Sequence, residues 1–245
     1  MPQVNDPLLE QFFTATELGP IVDAMNLLMR RADRTDVEPL LTALNDPWDR
    51  RRFGAVYALG WNRKDARIIH PLIGVLSNKN ETPYVRAQAA ECLGRCGGGK
   101  SIRPLIANST DASEDVRLWC VFALGRIRQD NPHKRHPKLP WRALRRALMA
   151  RVNDHANPQH ARLGWSVHLE ALAMLAGEDP ADPPTRLFRE TINRALQDPI
   201  HNPDLWRWAT AYMTRRDNHM HGEAVSILEA NRVRPGTAAS IEVAP

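Results

Sequence analysis

The densest set of chemically capable side chains lies between residues 126 and 151. Arg126, Arg128, Lys134, Arg135, Lys138, Arg142, Arg145, Arg146 and Arg151 face a single acid, Asp130, so the segment carries a formal charge of +8. The whole chain is +5, which leaves −3 for everything else. Cations gathered in this way engage phosphates, an acidic protein surface or an anionic membrane, unless neighbouring acids balance them as a solvated face. The candidate contacts are Lys134, Arg135, Lys138, Arg142, Arg145 and Arg146, with Trp141 either an aromatic anchor or a core residue.

Two elements must position these groups. Pro132, Pro137 and Pro140 make the first half an irregular connector over 128–140. From Trp141 to Val152, the spacing of Trp141, Leu144, Leu148 and Val152 gives one apolar stripe with arginines elsewhere, the pattern of an amphipathic helix.

Other reactive residues offer less. Cys92, Cys96 and Cys120 fall in helical segments and read as reduced core thiols. Cys92 and Cys96 are four apart and share a helix face, but no further Cys or His lies near enough in sequence to complete a zinc set. His133, His136, His219 and His221 read as solvated loop histidines. The expectation is no metal, no cofactor and no catalytic residue.

The elements themselves follow from an internal repeat. Arg-x-x-small-x-x-x-Leu-Gly occurs as Arg52–Gly60, Arg86–Gly94 and Arg117–Gly125, with Asp46, Asn80 and Asp111 each six residues before the arginine. Successive glycines are 34 and 31 residues apart, a solenoid period. Upstream, Pro39, Pro71 and Pro104 suit a first helical turn, where a missing N–H costs nothing. Each unit reads as two helices, the second stopped by a glycine able to adopt a left-handed conformation. On that second helix the stripe Ala55, Ala58, Leu59, with its counterparts Ala89, Cys92, Leu93 and Cys120, Ala123, Leu124, can face its neighbours only in a stack.

The fold class is therefore all-α, an α-solenoid of stacked helical hairpins; period-2 runs and hairpin dipeptides are missing from the sequence. These residues resemble HEAT repeats, and the Val-Arg…Leu-Gly wording over 36–127 is most similar to the HEAT-like repeats of the phycobilisome-lyase type. That resemblance implies a structural ladder between successive repeats, made of Asp46, Asn80 and Asp111 with Arg52, Arg86 and Arg117. An anion-binding row is the functional alternative for the arginines.

The expected organisation is a helical cap over 1–35, clear repeats over 36–127, the basic connector over 128–140, degenerate repeats over 141–233 and a tail over 234–245. The N-terminus lacks a basic and apolar leader and no run reaches the length of a membrane span, so a cytoplasmic location is expected.

Function on such a scaffold has to come from its sites. The leading expectation is a non-enzymatic scaffold or adaptor that binds a protein with an acidic surface through 128–151. The alternative is nucleic-acid binding, which HEAT-like DNA glycosylases suggest by fold and composition. The bilin-lyase resemblance implies a third, the attachment or detachment of chromophores. Iron-binding HEAT-like hydroxylases carry His-Glu dipeptides in several repeats, and this chain has only His168-Leu-Glu170, which disfavours that class.

Overall fold

The structure, a computed structural model, describes residues 6–62, 65–130, 140–152, 154, 167–175 and 183–197. Every regular element among them is helical. The chain divides into two compact units, Met1–Ala147 and Leu148–Pro245.

The first unit opens with α1 (Pro7–Thr14) and α2 (Leu18–Arg31). Asp6 caps α1 by accepting from the N–H groups of Leu8 and Leu9 at 2.9 and 3.1 Å, and Pro7 takes the position where no donor is needed. Three hairpins follow: α3 (Val37–Ala43) with α4 (Asp49–Leu59), α5 (Ile69–Ser77) with α6 (Pro83–Cys96), and α7 (Gly98–Asn108) with α8 (Glu114–Asp130). Two 3-10 turns, Arg34–Asp36 and Ala66–Ile68, lead into α3 and α5, and each is capped by the aspartate before it, Asp33 or Asp65. They set Pro39 and Pro71 in the first helical turn. The third repeat lacks such a turn. There α7 begins earlier, at Gly98, so Pro104 sits inside the helix rather than in its first turn.

The second helices form one layer, in which α4 packs on α2 and α6, and α6 on α8. Their predicted stripe is the core: Ala55, Ala58, Leu59, Ala89, Cys92, Leu93, Cys120, Ala123 and Leu124 are all fully buried. Leu40, Leu72 and Leu105 complete it from the first helices, each worth about 1.5–3 kcal/mol in transfer free energy.

Of the repeat glycines, Gly60 does end its helix, as the C-cap of α4, but not in a left-handed conformation, and the other two do not end theirs. Gly60 has a right-handed φ of −60°, Gly94 lies within α6 and Gly125 within α8. A Cβ on Gly60 would come within 2.2 Å of the Cys92 sulfur, and one on Gly94 within 2.7 Å of the Ala123 backbone. Each glycine thus meets the small residue six positions after the next repeat's arginine, and only hydrogen lets the two helices approach so closely. The left-handed turn after α6 belongs instead to Gly98, at φ +50°.

Arg52 and Arg86 link successive repeats, and Arg117 fastens its own turn. Arg52 donates through Nη1 to the Asp46 and Pro47 carbonyls of its own turn at 2.8 and 3.1 Å, and through Nε and Nη2 to Glu81 of the next turn at 2.7 and 2.8 Å. Arg86 reaches both carboxylate oxygens of Asp111, at 2.6 and 3.1 Å. Arg117 bonds the Asp111 and Ala112 carbonyls at 2.8 and 3.1 Å. The acids are distributed differently from the spacing rule. Asp46 gives its carboxylate to Arg51 at 2.7 Å and to the Trp48 N–H at 2.8 Å, and the partner of Arg52 is Glu81, the residue after Asn80. Burial pulls the Asp111 carboxyl upward, but hydrogen bonds from Arg86 and Lys79 outweigh it and hold the group well below the usual carboxylate range.

In the second unit, α10 (Val167–Leu175) packs on α11 (Pro183–Gln197), burying Val167, Ala171, Phe188 and Ile192. No helix among the described residues is long and apolar enough to cross a membrane.

Candidate functional site

The register that buries the third, sixth and seventh residues after each repeat arginine turns other positions toward a second face. These are the residues two before the arginine and five and nine after it: Arg50, Tyr57 and Trp61; Tyr84, Glu91 and Arg95; Asp115, Phe122 and Arg126. Rings and charges alternate along this face.

Between α4 and α6 the rings form a continuous surface. Phe53 stacks on Tyr57 with centroids 6.4 Å apart and tilts against Tyr84 at 5.7 Å. The Arg50 guanidinium lies 4.9 Å above the Tyr84 ring. Asp49, in the first turn of α4, is held below its ordinary pKa chiefly by the Tyr84 hydroxyl, while burial and that carboxylate push the Tyr84 phenol up to about 12. Farther along α6, Gln88 donates to Glu91 at 2.6 Å, Arg95 pairs with the same carboxylate, and the Arg95 guanidinium lies 4.6 Å from the Trp61 ring centre. On α8, Trp119 and Phe122 meet edge-on at 5.4 Å.

Ring faces are negative and attract cations. This surface already seats two of its own, Arg50 and Arg95, with Asp49 and Glu91 close by. The face therefore combines ring surfaces with paired cations and carboxylates.

Nucleophilic chemistry is poorly served here. Burial pushes the Cys92 thiol up to about 12, and its Sγ donates to the Val56 carbonyl at 3.3 Å. Burial likewise raises Cys120. No group of three or more His, Cys, Asp or Glu among the described residues is placed to hold a metal ion. Of the nine histidines, His70 and His168 lie in described helices, and His70 is exposed on α5.

The sequence-derived contact residues lie elsewhere. The basic stretch 141–151 is a helix, α9 (Trp141–Arg151), with Leu144 and Leu148 fully buried, Trp141 half-buried and Arg142, Arg145 and Arg146 exposed. Lys134, Arg135 and Lys138 fall outside the described residues, as do 198–233 of the expected degenerate repeats and the tail over 234–245. The aromatic face escapes a reading along the chain because its members are spread over three repeats. Aligning the copies on their arginines puts Tyr57, Glu91 and Phe122 in one row, and that alignment is the signal in the sequence that could have found it.

Residues 37–125 match the family model for HEAT repeats. Deoxyhypusine hydroxylase of Rattus norvegicus is 39% identical over 71 residues, 29% of this chain and 23% of that protein, and the Mus musculus enzyme matches equally. The Gallus gallus enzyme is 29% identical over 182 residues, 67% of this chain and 60% of its own length. The chain thus spans less than two thirds of each of these relatives. A solved structure of human deoxyhypusine hydroxylase in complex with glycerol aligns with a TM-score of 0.47 at 21% identity, covering 93% of this chain and 84% of that one.

These findings correct three expectations. The HEAT repeats stand, but the relatives are not of the phycobilisome-lyase type. They are named for an enzyme, which overturns the non-enzymatic scaffold or adaptor, and neither nucleic-acid binding nor bilin-lyase activity fits them better. They are also hydroxylases, the class that the missing His-Glu dipeptides disfavoured. A missing dipeptide shows which donors this chain carries at those positions and says nothing about which proteins it is related to.

Proposed function

We propose that this chain is an enzyme acting on an amine-bearing side chain presented by a protein, the hydroxylation of deoxyhypusine for which its relatives are named. The observation that carries this reading is the 39% identity with the rat enzyme over 71 residues. The aromatic face suits such a substrate. Phe53, Tyr57 and Tyr84 offer rings for a methylene stem and its ammonium, and Asp49 and Glu91 offer negative charge. Arg50, seated over Tyr84, occupies the position that a substrate cation takes when it displaces the arginine into solvent. Arg142 and Arg146 supply a contact for an acidic patch on the protein that carries the side chain.

Iron is the metal that the hydroxylase resemblance implies, and the described residues do not fit an iron site: they contain no three-donor cluster. Their role is to bind and orient the substrate.

The test is to incubate the full chain with a deoxyhypusine-bearing peptide, ferrous iron, dioxygen and a reductant such as ascorbate, which supplies the two electrons that take the second oxygen atom to water, and to follow the peptide by mass spectrometry. The gain of one oxygen atom on the deoxyhypusine is expected. An unmodified peptide that also shows no saturable binding to the chain would overturn the proposal.

A further inference from the structure

The first helices of the array do not close uniformly. α5 packs directly on α7, whereas α3 and α5 make no comparable packing contact. The space between them is a cavity of about 360 Å³. Leu41 of α3 and Leu44 at its C-cap wall it on one side, and Pro71 and Val75 of α5 on the other, all four half-buried. Asn45, Asn78 and Glu81 form its polar rim.

Three features define what fits. The volume is in the range of small-molecule sites, and the lining is divided about evenly between apolar and polar surface, which suits an amphiphile. The rim carboxylate, Glu81, is already neutralised by Arg52 through two hydrogen bonds of 2.7 and 2.8 Å, so no net charge is offered to a ligand. The exposed carboxamides of Asn45 and Asn78 each carry a donor and an acceptor, and Asn78 spends its oxygen on the Asn80 N–H at 3.0 Å, which leaves its amino group as a donor. A fourth feature lies in α5. Gly74 lines the cavity, and a Cβ built on it meets no atom within 4 Å. Packing therefore does not require a glycine there, and a glycine weakens a helix interior. Its effect is to keep the cavity open.

We infer that this cavity is a binding site for a small uncharged amphiphile, its apolar body between α3 and α5 and one amide or hydroxyl head at Asn45 and Asn78. None of its lining residues is a member of the aromatic face, and the inference does not depend on the activity proposed there.

The test uses the full chain with ¹³C-labelled leucine and valine methyls, titrated with hexanamide and, in parallel, with hexanoate and hexylamine. Hexanamide should produce saturable shifts at Leu41, Leu44 and Val75, while the two charged analogues bind at least several-fold more weakly. Gly74→Leu fills the cavity and should abolish the shifts with helicity and melting temperature unchanged or raised. Asn78→Ala, which fills nothing, should weaken hexanamide several-fold and covers the case in which the leucine variant fails to fold. No shift at hexanamide saturation, equal shifts from the charged analogues, or binding undiminished in both variants would overturn the inference.

Discussion

Arg86 and Asp111 show how much of this fold rests on single side chains. Both are buried, at 5% and 7% exposure, and their bidentate pair ties the second repeat to the third. Removing Arg86 leaves the buried Asp111 carboxylate with Lys79 as a cationic partner, so Arg86→Ala should lower unfolding free energy by about 1–3 kcal/mol in a denaturant titration. A loss under about 1 kcal/mol would show that the pair behaves as an exposed one and does not join the repeats. Because the folded carboxyl of Asp111 is held below its unfolded value of about 3.9, its contribution is complete above that pH and is lost as pH falls through the folded value. The acid limb of the melting-temperature profile should therefore flatten in Asp111→Asn. The thiols differ from one another in the same way. Cys92 and Cys120 are buried with raised pKa values, so a disulfide reagent should label the half-buried Cys96 first and reach the others only on unfolding.

At the scale of elements, the motif Arg-x-x-small-x-x-x-Leu-Gly shows the second helix and its buried stripe, because a period of 3.6 is a local property of sequence. What the glycine does is not local. Gly60 and Gly94 both look like helix ends when read along the chain, which Gly60 is and Gly94 is not, and only the neighbouring repeat reveals that Cys92 and Ala123 press against them. Gly94→Ala should accordingly cost about 1–3 kcal/mol by overpacking. Gly74→Ala, with open space at its Cβ, should gain about 0.5–1 kcal/mol. Equal responses at the two positions would remove the distinction between a close-approach glycine and a cavity glycine. The ladder is legible to the same degree. Spacing locates its arginines and one of its acids, Asp111, but cannot tell that the longer Glu81 side chain, and not Asn80, meets Arg52. Side-chain reach across repeats is not encoded by an offset within one.

For the whole molecule, net charge does not locate the aromatic face. The +8 segment is conspicuous in sequence, yet the surface with the most specific geometry is a set of rings and carboxylates dispersed from Asp49 to Phe122. Kinship to deoxyhypusine hydroxylases is equally hidden, since the His-Glu dipeptides expected of iron-binding HEAT-like hydroxylases are missing here. The two observations agree if the first unit orients a cationic side chain. The most direct measurement is the steady-state hydroxylation of a deoxyhypusine peptide by the full chain and by its Tyr84→Leu variant, with melting temperatures recorded for both. The account predicts turnover by the unaltered chain and a KM about tenfold higher in the variant, the loss of one desolvated cation–π contact of about 1–2 kcal/mol. No turnover by either protein, or an identical KM with the fold intact, would contradict it.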